Sequence, residues 1–151
     1  MSKMTDADFM EIAMEEAIRA FQEGEVPVGA VIVRDGAIIG RAHNLRESTK
    51  DPSAHAEILA LRSATRVSDS WRLIDATIYV TKEPCIMCSG AVINSRISRL
   101  VYGCKDMKAG GVDSLYRILS DSRLNHQVTV VSGVLEEECA ALLQRFFRER
   151  R

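Results

Sequence analysis

Apolar positions along this chain change their period repeatedly, and each change marks an element. Near the N-terminus Phe9, Ala13, Ala17 and Phe21 recur at helical spacing before Gly24, and Thr5 with Asp8 forms a capping-box pattern. The run VPVGAVIVRDGAIIGRAHN (26–44) is rich in β-branched residues. Asp35-Gly36 breaks it, so it reads as two strands joined by a hairpin turn. Asp51, Pro52 and Ser53 then open a second helix through AHAEILALRSATR, and ATIYVT (76–81) is a third strand. Pro84 suits the first turn of a third helix running to about Asn94. ISRLVYG (97–103) is a fourth strand, followed by the KAGG loop and a short helix near SLYRILS. QVTVVSG (127–133) makes a fifth strand. Leu135, Cys139, Leu142, Leu143, Phe146 and Phe147 supply the apolar face of a closing helix.

Strands alternating with helices predict an α/β fold of three layers, α/β/α: a mixed five-stranded sheet with helices on both faces. The opening hairpin must be antiparallel, whereas strands separated by helices can run parallel. No repeat, linker or low-complexity tract interrupts the 151 residues, which predicts one domain, 1–151, with a sizeable core.

Composition narrows the function classes. Hydrophobic content of 46% and charged content of 27% suit an ordinary globular protein. MSKMTDADFMEIAMEE is acidic and has no uninterrupted apolar run, which predicts neither a secretory signal nor a membrane span. A cytoplasmic, reducing location follows, where neighbouring cysteines serve metal binding or catalysis more often than disulfides. The net charge of −1 supplies no global field toward nucleic acid, although 15 of the 20 basic residues are Arg, suited to gripping phosphate.

The chemistry concentrates in two short stretches. In TKEPCIMCSG (81–90), Cys85 and Cys88 follow Pro84 at the start of a helix, on one face at i and i+3. A helix N-terminus favours the thiolate, the form that ligates metal. His55, Ala56 and Glu57 stand at the start of the preceding helix. Two thiolates and one imidazole make three of zinc's four tetrahedral ligands, and a fourth position left to water makes such a site catalytic. Glu57, two residues from His55, is placed to handle that water's protons. His-x-Glu alone is a weak signal; combined with Pro-Cys-x-x-Cys it is the signature of zinc-dependent nucleobase deaminases.

Across nearly its whole length the chain resembles the bacterial tRNA-specific adenosine deaminases. EVPVGAVIV, DPSAHAEILALR, LIDATIYVTKEPCIMCSGA, GCKDMKAGGVDSL, LNHQV and ECAALLQRFFRERR carry the likeness. The resemblance implies a cytidine deaminase-like fold, one zinc per chain on His55, Cys85 and Cys88, and Glu57 as proton shuttle. It implies hydrolytic conversion of the wobble adenosine of a tRNA anticodon to inosine. It also implies that Asn44 hydrogen-bonds the flipped nucleoside, that the Ala56 backbone contacts the base, and that Val28 lines its pocket. Asp106, Lys108, Asn125, His126, Phe147 and Arg150 would hold flanking nucleotides of the anticodon stem-loop, in a homodimer. Lys82, where an apolar residue is usual, and Cys104, where a small one is usual, depart from the pattern.

Several residues carry a plainer reading beside this one. Cys85 and Cys88 could fill a core or form a redox pair, and a closed structural zinc would need Cys104, Cys139, His43 or His126 as its fourth ligand. Asn44 is by residue type a turn former. Asp106 and Lys108 could be a surface pair in a flexible loop, and His126 could satisfy a turn. Arg145, Arg148, Arg150 and Arg151 complement a helix C-terminus, as Glu136 to Glu138 complement its start. The alternative functions are deamination of a free base or nucleoside, such as guanine or cytosine, and a non-catalytic zinc-stabilised RNA-binding module. Glu57 argues against the second.

Overall fold

The structure, a computed structural model, describes residues 3–150. Helix α1 (Asp6–Gln22) leads into the hairpin of β1 (Gly29–Arg34) and β2 (Ala37–His43). A short α2 (Arg46–Thr49) and then α3 (Ala56–Ser68) follow. The chain continues through β3 (Ala76–Lys82), α4 (Ile86–Asn94), β4 (Arg99–Cys104), a 3-10 turn (Ile118–Ser120), β5 (Thr129–Val131) and α5 (Glu136–Glu149). The capping box is present: Asp8 N donates to Thr5 Oγ1, and Thr5 N to the Asp8 carboxylate. Asp35 and Gly36 both take positive φ, 51° and 75°, as a type I′ hairpin turn requires.

The five strands lie in the order β2-β1-β3-β4-β5. β1 is antiparallel to both β2 and β3, while β3, β4 and β5 run parallel, so the sheet is mixed as the helix spacing predicts. Alternation of side chains along each strand builds two cores. Ala30, Ile32, Ile78, Val80, Leu100 and Tyr102 face α3 and α4. Val31, Val33, Tyr79 and Val101 face α1 and α5. Each fully buried aliphatic side chain contributes about 1.5–3 kcal/mol, whereas exposed ion pairs give about 0–1 kcal/mol, so the two cores hold the layers together. The layers touch backbone to backbone at two glycines. A Cβ on Gly29 would stand 2.0 Å from the Ala13 carbonyl of α1, and one on Gly40 2.6 Å from the Ala60 carbonyl of α3.

Four expectations shift. The second long helix starts at Ala56, with His55 as its cap, and not at 51–53. Asp51 Oδ1 accepts from the Ser53 amide and hydroxyl, closing a local turn that competes with helix. Likewise α4 begins after Cys85, because Cys85 is still extended and bridges Gly110. Near SLYRILS only the three-residue 3-10 turn forms, and the fifth strand shrinks to Thr129–Val131. Among the described residues no helix is long and apolar enough to cross a membrane.

Candidate metal centre and its pocket

His55 and Cys85 occupy the same position on two helices: each is the N-cap residue, extended, and neither side chain caps its helix. Cys88 is three residues into the second helix. Because α3 and α4 cover the same face of the sheet, the two starts converge. His55 Nδ1 lies 3.7 Å from Cys85 Sγ and 3.5 Å from Cys88 Sγ, and all three donor atoms lie within 4.8 Å of one another. A tetrahedral zinc with Zn–S of about 2.3 Å and Zn–N of about 2.0–2.1 Å needs an S···N separation of about 3.6 Å. The donor set fits that ion in type and in spacing.

Electrostatics agree. Its contact with Cys88 pulls the Cys85 thiol down to about 4; burial opposes this and His55 assists it. Cys88 is pushed up, first by Cys85 and then by burial, and His55 is raised, first by Cys85. A lowered Cys85 thiol favours the thiolate, the form that ligates metal. Glu57 is 4% exposed, and burial pushes its carboxyl above the usual range.

The four side chains named as possible fourth ligands are engaged elsewhere. Cys104 Sγ contacts the Thr81 carbonyl, and Cys139 Sγ lies 3.6 Å from Met14 Sδ. Both belong to the core on the opposite face of the sheet. His43 lies between Glu16 and Glu23, and His126 Nε2 lies 2.7 Å from the Ile97 carbonyl oxygen.

A cavity of about 260 Å³ opens over the cluster. Of the expected substrate contacts, Val28, Asn44, Ala56, Asp106 and Phe147 line it beside His55, Glu57 and Cys85. Asn44 is 7% exposed; its Nδ2 donates to the Val26 carbonyl and its Oδ1 accepts from the Arg46 amide. It is a turn former and a pocket wall at once. Lys108, Asn125, His126 and Arg150 do not line the cavity. Asn125 is exposed, Lys108 donates its amide to Asp106, and the Arg150 guanidinium lies 4.1 Å from the Phe146 ring centroid. Arg145 pairs with Glu149, Arg148 is exposed, and Arg151 lies outside the described residues.

Sequence reasoning missed Glu83, Arg46 and Lys82 as pocket residues. Glu83 is 2% exposed and binds a whole loop. Its carboxylate accepts from the amides of Asp106 (3.0 Å), Val112 (3.1 Å), Asp113 (2.8 Å) and Ser114 (2.9 Å), and from the Ser114 hydroxyl. Gly110 lies against it, and a Cβ there would stand 2.3 Å from Oε2. An acid at a strand end directly before Pro84-Cys85, followed by a Gly-Gly loop, was the available signal. Lys82 Nζ lies 3.2 Å from Asp106 Oδ2, so the departure at 82 is an ion pair on the pocket wall.

With this geometry in place the comparisons are decisive: a model of the MafB19-like deaminases matches residues 4–151. The chain belongs to that deaminase family. A tRNA-specific adenosine deaminase of Bacillus subtilis (strain 168) is 51% identical over 146 residues, 97% of this chain and 91% of the relative. One of Streptococcus pyogenes serotype M1 is 50% identical, over 95% of this chain and 84% of the relative. A solved structure from studies of A-to-I editing by tRNA:A34 deaminases at the wobble position of transfer RNA superposes with a TM-score of 0.86. Its sequence identity is 44%, over 89% of this deaminase and 97% of that chain.

Proposed function

We propose that this deaminase hydrolyses the wobble adenosine of a tRNA anticodon to inosine, releasing ammonia. The observation that carries the reading is the convergence of His55, Cys85 and Cys88 beside buried Glu57 at one pocket. The named relatives supply the substrate class. His55, Cys85 and Cys88 would hold one zinc per chain, which would supply a Lewis acid able to activate water at neutral pH.

The chain's own groups do the rest. Glu57 takes a proton from the attacking water and returns it to a ring nitrogen of adenine, then passes the second to the departing amino group. Its raised pKa suits a carboxyl that must alternate between base and acid near neutral pH. Asn44 uses one Nδ2 hydrogen on Val26, leaving the other for the base. Val28 and the Ala56 backbone bound the base, and Phe147, 52% exposed at the pocket, offers a ring on which a splayed neighbouring base can stack. Asp106 borders the same wall. Lys108, Asn125, His126 and Arg150, outside the pocket, are assigned to the more distant anticodon-loop nucleotides.

The active assembly is a homodimer in the cytoplasm. Exposed Ile86, Met87 and Trp71, with an open hollow lined by Ile58, Leu61 and Trp71, offer an apolar surface to a second copy. All four cysteines are free, as a reducing compartment keeps them. The test is incubation with an adenosine-containing anticodon stem-loop, free adenosine, cytidine and guanine, scoring inosine and ammonia. Turnover of the stem-loop is expected to exceed that of each free compound, and preferential release of ammonia from guanine or cytidine overturns the reading.

A further inference from the structure

A pocket that admits one base leaves the substrate's phosphates at its rim, and a chain of net charge −1 offers them no general attraction. Local cations must do that work. Two line the pocket, Lys82 and Arg46. Lys82 is already held by Asp106. Arg46 is exposed, and among the described residues its guanidinium makes no ion pair and no hydrogen bond.

The backbone beneath Arg46 is anchored by hydrogen bonds. Its amide donates to Asn44 Oδ1 at 3.1 Å, and Asn44 is tied in turn to the Val26 carbonyl. The next two amides, Glu47 and Ser48, donate at 2.9 Å and 2.7 Å to the carboxylate of Glu25, which is only 1% exposed. A buried acid therefore fixes the short turn that carries an unpaired guanidinium at the pocket.

We propose that Arg46 is a substrate-binding residue that grips a backbone phosphate of the single-stranded substrate next to the base in the pocket. This rests on the RNA-deaminase reading above. A guanidinium matches phosphate oxygens with two parallel N–H donors, which an ammonium cannot do. The same anchored turn carries Asn44, so base and phosphate are held by one piece of backbone.

The experiment compares the parent with Arg46→Gln and Arg46→Lys on the adenosine-containing anticodon stem-loop over a range of salt concentrations. Zinc content and circular dichroism are measured alongside. Arg46→Gln is expected to raise KM about tenfold and to flatten the log–log salt dependence of binding by about 0.7, one single-strand phosphate contact. The loss falls on KM and not on kcat. Arg46→Lys keeps the salt slope and loses part of the affinity. Parent-like KM and salt slope in Arg46→Gln overturn the assignment, and so does a fall confined to kcat, which marks a structural role. A parent that leaves the stem-loop unchanged overturns the functional reading, and this inference with it.

Discussion

Glu57 and Cys88 stand at the same cluster, and substitution separates the roles proposed for them. Glu57→Gln is expected to cut deamination by about 10²–10⁴-fold while zinc stays bound, since the proposed proton carrier is not among the clustered donors. Cys88→Ala is expected to lose metal and activity together. Metal analysis beside inosine formation decides: more than a tenth of parental turnover in Glu57→Gln overturns the proton-carrier role. The donors were legible in the sequence because their spacing follows helix geometry, which is local. Asn44 was half legible: its residue type announced the turn, but not that the turn walls the pocket. Arg46 was not legible at all. Nothing in LRES distinguishes one arginine from fourteen others until Glu25, far back in the chain, is seen holding the turn beneath it.

The loop from Asp106 to Ser114 is an element gathered chiefly on one side chain. It has no regular ladder, and four of its amides end on Glu83. Glu83→Gln replaces one acceptor oxygen by a donor that faces N–H groups, so at least two bonds to a charged acceptor are lost. The expected cost is about 2–4 kcal/mol of stability, with a raised KM and zinc retained. Denaturant midpoints measure the first, and faster amide exchange at Val112–Ser114 localises it. An exchange pattern identical to the parent's shows that the loop stands without this hub. The same bonds explain a failed expectation. SLYRILS has helical spacing, but the loop before it is pinned across the fold, and the amides of Leu115 and Tyr116 both reach back to the Gly110 carbonyl. The strands were legible because β-branched runs bounded by turn residues are a local signal. Helix starts slipped because caps and side-chain turns decide them, as at Asp51 and Cys85.

At the scale of the molecule, Asp6 at the start of α1 receives Arg99 of β4 and the hydroxyl of Tyr79, joining an outer layer to the sheet across 93 residues of chain. Hydrogen bonds from Arg99 hold its carboxyl below the usual range; burial opposes this and Tyr79 adds to it. A depressed carboxyl stabilises the fold above its unfolded pKa of about 4 and loses that contribution as pH falls through the lower folded value. Asp6→Asn is therefore expected to cost about 1 kcal/mol at pH 7, and the gap to the parent should close below pH 4. Urea midpoints at both pH values test this, and a gap that persists at acid pH overturns it. The contact of His55 with Cys85 brings together two helix starts 30 residues apart in the chain. An ion shared between them is a cross-link, and closing a loop of that size removes about 3–4 kcal/mol of denatured-state entropy. Heat tolerance then becomes a gauge of occupancy: a chelator should lower the melting temperature by about 10 °C, and Cys88→Ala should melt early and ignore the chelator. Cells short of zinc would hold less of the folded enzyme, and not only less of the active one.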